Sequence, residues 1–354
     1  MPTHAVVSFF RFMLALAGLV LSGASVAANS PSRPFTLDTL SPLASASELT
    51  SRLLTPVTQD RIVKFREKVD FSLQEQTIAL GEEPFELFVP EPDANGKYGL
   101  MVFIWPADDI QVPHDWWKVF RDRHIIYVAS RRSSNIENIF DRRVPLALHG
   151  YEYVRSRYAL DPERVYIGGF SGGSRTAQRT VMAYPDVFRG VFLAGGSDAL
   201  GGESGFTLPS AALSRLMQRQ TRFVFSTGGN DSPNRAKDAR TRRNLDMLCM
   251  QGVRLVPQNG VEHWVPDGRG FNKAMGALER PVQESEQAQE CFTHLDQRIK
   301  EQLDEVAAEI AAGRLEQAGS LLAPLDAQYG GLAAPYSVEL SRTIADRAGL
   351  YELP

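Results

Sequence analysis

The feature that most limits how this chain can fold is a series of short apolar runs with no polar residue alternating through them. They are Leu100–Trp105, Ile125–Ala129, Val165–Ile167, Val191–Ala194 and Phe223–Phe225, followed by Val253–Val256, which Arg254 interrupts. A strand with one face in water alternates. An unbroken apolar strand is buried on both faces, as in a parallel sheet. Between the runs lie segments with helical spacing: Val144–Tyr158, with Leu148, Tyr151 and Val154 on one stripe, then Gly172–Ala183, Pro209–Arg219 and Pro233–Met250. Strands alternating with helices predict an α/β fold, a mostly parallel central sheet with helices on both faces. Right-handed crossovers then set most of the topology. Upstream, Phe71–Leu80 and Phe85–Val89 read as two more strands, joined by the turn Gly81-Glu82-Glu83-Pro84.

The two ends of the 354-residue chain have a different texture. Residues 1–28 carry Arg11, an apolar run from Phe12 to Leu21, and then small residues up to Ala28. That is the pattern of a cleaved export signal, too short for a comfortable membrane span. The expectation is an exported protein, periplasmic or extracellular, with no stable membrane span after processing. Residues 29–60 are rich in Ser, Pro and Thr and read as an arm or linker, and 61–280 as the catalytic domain. From 281 to 354 a C-terminal helical extension is expected. Phe292, Leu295, Ile299, Leu303, Val306 and Ile310 form one stripe on a long amphipathic helix that Gly313 ends. Two shorter helices, Leu315–Leu322 and Ser337–Ala345, follow on either side of Tyr329-Gly330-Gly331. This tail is either packed on the main domain or a small interaction module. Cys249 and Cys291 are the only cysteines. In an oxidising compartment two thiols often pair; two separate buried thiols are the alternative.

Composition narrows the function. The chain is 43% hydrophobic and 23% charged, which fits a folded protein with a full core and excludes a disordered or collagen-like chain. With 38 basic and 42 acidic residues the net charge is −4, so the basic footprint of a nucleic-acid-binding protein is missing. Gly195-Gly196-Ser197-Asp198 with Gly201-Gly202 lacks the Lys-Ser/Thr ending of a phosphate loop and reads as a strand-end loop. No His-Glu-x-x-His or similar cluster occurs, so neither metal nor cofactor is expected. The bases between Arg235 and Arg243 read as a solvated helix face.

The informative stretch is Gly169-Phe170-Ser171-Gly172-Gly173, a Gly-x-Ser-x-Gly pattern between a buried strand and a helix. A strand-to-helix turn this tight strains the serine backbone, admits only small residues two before and two after it, and holds Oγ out at the sheet edge. The helix N-terminus beneath it offers N–H groups to a developing oxyanion. Serine needs a base. Of the histidines, His114, His124 and His149 precede the turn and are expected to cap, pack or lie on the surface; His294 lies in the tail helix. His263, in Gly260-Val-Glu-His-Trp-Val-Pro266 just after the last strand, is the predicted base. Asp231 ends Phe223-Val-Phe-Ser-Thr-Gly-Gly-Asn-Asp231 and is the predicted acid that orients the imidazole, with Asp238 as fallback. Trp264, beside the base, and Phe170 are candidates for the substrate pocket, while Trp116 and Trp117 read as core.

Asp161-Pro-Glu-Arg-Val-Tyr166 before the serine motif, Tyr184-Pro-Asp-Val-Phe188 after it, and Gly-x-x-His-x-x-Pro around His263 together resemble the secreted α/β-hydrolases of the polyhydroxybutyrate depolymerase and feruloyl-esterase-like group. The likeness covers roughly residues 70–275. It implies an α/β-hydrolase fold and a serine esterase with Ser171, Asp231 and His263 as triad. It also implies an oxyanion hole built from the Gly172 N–H and a second N–H after the strand Leu100–Trp105. Members usually carry His-Gly at that strand end; here it is Trp105-Pro106-Ala107-Asp108. Pro106 has no N–H, so Trp105 and Ala107 are the candidate donors. No polymer-binding domain is visible, which favours a small-molecule ester substrate over a polyester. A serine peptidase of the same fold, or a non-catalytic binding protein with the tail as partner surface, are the alternatives.

Overall fold

The computed structural model describes residues 32–69, 71–201 and 207–349. Residues 1–28, read above as an export signal, lie outside them. One eight-stranded sheet is built from β1 (Arg33–Thr36), β2 (Pro84–Phe88), β3 (Tyr98–Ile104), β4 (Ile125–Ser130), β5 (Leu160–Phe170), β6 (Gly190–Ala194), β7 (Arg222–Ser226) and β8 (Gly252–Leu255). The order is β1-β2-β4-β3-β5-β6-β7-β8. β1 and β2 pair antiparallel, as do β2 and β4, and every pairing from β4 through β8 is parallel. The helices are α1 (Ala46–Leu53), α2 (Pro56–Lys68), α3 (Trp116–Asp122), α4 (Val144–Arg155), α5 (Gly172–Ala183), α6 (Ala211–Gln220), α7 (Ser232–Met247), α8 (Gly268–Glu279), α9 (Glu286–Ala311), α10 (Leu315–Tyr329) and α11 (Tyr336–Arg347). This is the α/β-hydrolase fold with a C-terminal helical region.

The unbroken apolar strands work because both sheet faces are covered. Val102, Ile104, Ile167, Val191 and Phe225 point into one core with α4, α5 and the tail helices. Their neighbours Met101, Phe103, Tyr166, Phe192 and Val224 point into a second core with α3 and α8. That second core is aromatic: Trp116 stacks on Phe271 with ring centroids 3.8 Å apart, and both tryptophans of the 116–117 pair are buried. The pair is therefore core, as its sequence suggests.

Two expectations about the N-terminal part are corrected. Residues 71–79 form no strand. The outer edge of β2, where a hairpin through 81–84 would place the 71–80 segment, is taken by β1, with Arg33 opposite Leu87, and the segment is largely exposed. The described part of the stretch read as an arm or linker is folded: besides β1 it supplies α1 and the start of α2, and buries Leu37, Ala44, Leu49, Leu53 and Val57. Its Ser and Thr residues serve partly as helix caps; the Ser45 and Thr55 side chains accept from the N–H groups of Glu48 and Thr58.

The tail stripe is buried at all six positions, Phe292, Leu295, Ile299, Leu303, Val306 and Ile310, and Gly313 (φ 76°) follows the helix end. These residues belong to the same core as α4 and α5. Cys249, after α7, is disulfide-bonded to Cys291 on α9. Arg342 on α11 pairs with both oxygens of Asp60 on α2. The expected boundaries at 60/61 and 280/281 therefore separate no units: all described residues belong to one compact body. Among the described residues no helix is long and apolar enough to cross a membrane.

Candidate active site

β5 ends at Phe170 and α5 begins at Gly172, so Ser171 alone makes the turn, at φ 54° and ψ −118°. An L-residue rarely adopts such a backbone. The crowding explains the flanking glycines. A Cβ on Gly169 would lie 2.3 Å from the Gly173 carbonyl carbon, and one on Gly173 would lie 2.0 Å from the Ile104 oxygen. Those contacts also bring the end of β3 against the first turn of α5, whose leading N–H groups have no intrahelical acceptor. Gly172, Trp105 and Ala107, the proposed oxyanion donors, thus stand on two adjoining segments; Trp105 is buried with its indole N–H donating to the Tyr127 hydroxyl at 2.8 Å, and Ala107 is exposed.

His263 and Asp231, the predicted base and acid, lie in the loops after β8 and β7. Their backbones are laced together: the N–H of Gly229 donates to the Gln258 carbonyl at 2.7 Å, and that of Asn230 to the Val261 carbonyl at 3.0 Å. The segment after His263 is anchored below by Trp116, whose indole N–H donates to the Pro266 carbonyl at 2.8 Å. His263 Nε2 then lies 2.9 Å from Ser171 Oγ, and His263 Nδ1 lies 2.5 Å from Asp231 Oδ2. Burial disfavours the charge of Asp231, but hydrogen bonds from His263 and Asn234 outweigh it and hold the carboxyl below its usual range. The carboxylate is ionised at neutral pH. It fixes Nδ1 as the protonated nitrogen and leaves Nε2 as the acceptor facing the serine.

The fallback acid, Asp238, is not brought to His263. It is buried and accepts from Ser197 Oγ at 2.6 Å and Thr227 Oγ1 at 2.5 Å; burial pushes its carboxyl up despite those bonds. The other histidines also lie elsewhere. His149 is buried and its Nδ1 accepts from the Ser41 N–H, His124 is half-buried, and His114 and His294 are exposed. Phe170 packs against both the His263 ring (centroids 4.9 Å) and Trp264 (5.4 Å), and Trp264 is 43% exposed. Among the described residues no cluster of His, Cys, Asp or Glu could hold a metal.

Three side chains at the site escape a reading of the sequence. Asn234 donates to both oxygens of Asp231. Arg175, one turn after Ser171, donates to Asn234. Arg143 is buried, donates from Nε to the Ser133 carbonyl at 2.8 Å, and brings its other nitrogens to 3.5 Å from the Trp105 and Gly172 carbonyls; burial pulls its guanidinium down to about 10. The Asn three residues beyond Asp231 and the Arg four beyond Ser171 are the traces the sequence carried of the first two. Arg143 left no such trace.

No protein-family model matches the chain, and neither does any curated protein sequence. Solved structures similar to it include a thermostable esterase (19% identity over 59% of this chain and 62% of that one, TM-score 0.40). Others are an acylaminoacyl peptidase from Pyrococcus horikoshii (13%, 62% and 42%, TM-score 0.43) and an acetyl xylan esterase from Aspergillus awamori (13%, 55% and 94%, TM-score 0.43). The chain spans less than two thirds of the length of the first two of these. Likeness at this level says nothing about substrate or reaction.

Proposed function

We propose that this chain is an exported serine hydrolase that cleaves a small carboxylic ester through an acyl-enzyme. The observation that carries the reading is the continuous chain from Asp231 Oδ2 through His263 to Ser171 Oγ, at 2.5 and 2.9 Å, on a serine held at positive φ. Ser171 Oγ attacks the acyl carbon while His263 Nε2 takes its proton. The oxyanion is held by the Gly172 N–H and by an N–H at Trp105 or Ala107. Collapse of the intermediate expels the alcohol, which receives the proton from His263. Water then enters by the same route, returns the serine and releases the acid. No metal or cofactor takes part.

The motif resemblance to polyhydroxybutyrate depolymerases and feruloyl-esterase-like enzymes supports ester over amide chemistry. Trp264 and Phe170 form an aromatic wall beside His263, which suits an apolar or aromatic acyl group. The export signal at 1–28 and the Cys249–Cys291 disulfide agree with an oxidising compartment. A fluorophosphonate probe tests the reading: it should label the wild-type protein on the peptide containing Ser171 and leave Ser171→Ala unlabelled. Absence of labelling on a folded wild type would contradict it and return the fold to a binding role.

A further inference from the structure

We infer that Asn234 and Arg175 are positioning residues that clamp the acid of the triad, an inference that rests on the Ser171–His263–Asp231 reading above. Asn234 Nδ2 donates to Asp231 Oδ1 at 3.0 Å and to Oδ2 at 2.9 Å, so one primary amide spans the whole carboxylate. Its own Oδ1 accepts from Arg175 Nη2 at 2.7 Å. That contact decides which way the amide faces. Turned over, Asn234 would set its carbonyl oxygen against the carboxylate and its NH2 against a guanidinium, two repulsions in place of three bonds. Arg175 is in turn held by Asp198, whose Oδ1 lies 3.4 Å from Nε.

The space for this clamp is provided by the loop after β6. Gly196 sits at φ 118°, and a Cβ there would lie 2.7 Å from both Arg175 Nη2 and Asn234 Oδ1. Arg175 is four residues past Ser171 on α5, and Asn234 is three past Asp231 on α7. The clamp therefore ties the nucleophile's helix to the acid's loop without touching substrate.

It has a consequence for the base. Asn234 Nδ2 is only 3.2 Å from His263 Nδ1. That nitrogen contacts both oxygens of Asp231 as well, the carboxylate is its stronger acceptor, and the Nδ1 proton goes to Asp231 Oδ2. By sharing the carboxylate, the amide also draws negative charge away from the imidazole. Asn234 thus sets how strongly Asp231 stabilises an imidazolium. The charged groups around His263 are Asp231 on the acid loop, Arg175 from α5, Asp198 after β6, and its neighbour Glu262, which accepts from Asn230.

The test is an NMR titration of the His263 imidazole in the full chain, read with the acidic limb of kcat/KM for p-nitrophenyl acetate. The proteins are wild type, Asn234→Ala, Asn234→Leu, Arg175→Met and the double variant Asn234→Ala/Arg175→Met. Asn234→Leu keeps the side-chain bulk should the alanine variant fail to fold. The clamp predicts that both Asn234 variants take up the imidazole proton at a pH higher by roughly half a unit or more, and that kcat falls more than KM rises. It predicts that Arg175→Met moves the midpoint in the same direction but adds little once Asn234 is gone, because it acts through that amide. An unmoved midpoint in folded Asn234 variants, or fully additive effects of the two residues, would overturn it. The titration needs no substrate. A midpoint shift in the variants of a wild type that hydrolyses no ester would sustain the clamp and count against the esterase reading alone.

Discussion

Asp231 and His263, 32 residues apart in the chain, meet at 2.5 Å because two backbone hydrogen bonds lock the loop after β7 to the loop after β8. Asp231→Asn should keep that geometry and remove the charge. An amide there presents an N–H to Nδ1 and turns the imidazole to the tautomer that cannot accept the serine proton. A fall in kcat of about 10³–10⁴-fold with little change in KM is expected, read from initial rates on an ester that the wild type turns over. A loss below tenfold would mean that Asp231 is not the acid.

The elbow glycines are a steric requirement, and Gly173→Ala tests it. The new methyl would sit 2.0 Å from the Ile104 carbonyl oxygen, which belongs to the rigid end of β3. The first turn of α5 must shift, at a cost of about 3 kcal/mol in stability. Activity should fall further than stability, since the displaced turn carries Ser171 and the Gly172 N–H. Urea unfolding and ester hydrolysis on the same preparation check both effects.

His149 predicts an acid-side loss of stability away from the site. It is buried, and burial lowers its imidazole to about 4 from 6.5. The folded state thus favours the neutral ring, which accepts from the Ser41 N–H at 3.0 Å. The contribution is present above the unfolded value and is lost as the pH falls from about 6.5 toward 4. Between pH 7 and 5 it amounts to about 2 kcal/mol. Denaturant unfolding at the two pH values should show His149→Gln, which retains an acceptor, with a correspondingly smaller drop than wild type.

The Cys249–Cys291 disulfide closes a loop of 42 residues and ties α9 to the body. Reduction, or Cys291→Ser with Cys249→Ala, should cost about 3–4 kcal/mol. Ester turnover below the melting transition should be unchanged, because Cys249 follows the C-terminal end of α7, the opposite end from Asp231. Equal urea midpoints with and without reductant would contradict this.

Much of this fold was legible because burial on both faces writes itself into β3, β4, β6, β7 and the second half of β5 as continuous apolar runs, while the edge strand β8 is half-exposed and carries Arg254; the α9 stripe writes itself as 3-and-4 spacing. The elbow was legible because sterics leave glycine little alternative at 169 and 173. What the chain hid depends on long-range partners. β1 is four residues, Arg33–Thr36, with no pattern of its own, and it becomes a strand only because β2 offers an edge. The 71–80 segment carries strand-like residues, but β1 occupies the β2 edge that a hairpin would have given it. At the site, Ser171, Asp231 and His263 follow from order along the chain. Asn234, Arg175 and Arg143 are ordinary surface-type residues until the loops meet around them.

Ser171 as a nucleophile whose acyl-enzyme turns over is tested by hydrolysis of a short-to-long acyl p-nitrophenyl ester panel by wild type beside Ser171→Ala. The expected result is turnover by the wild type, with an optimum set by the Trp264–Phe170 wall, and a loss to background in the variant. Equal, near-background rates in two well-folded proteins, across the whole panel, would contradict it.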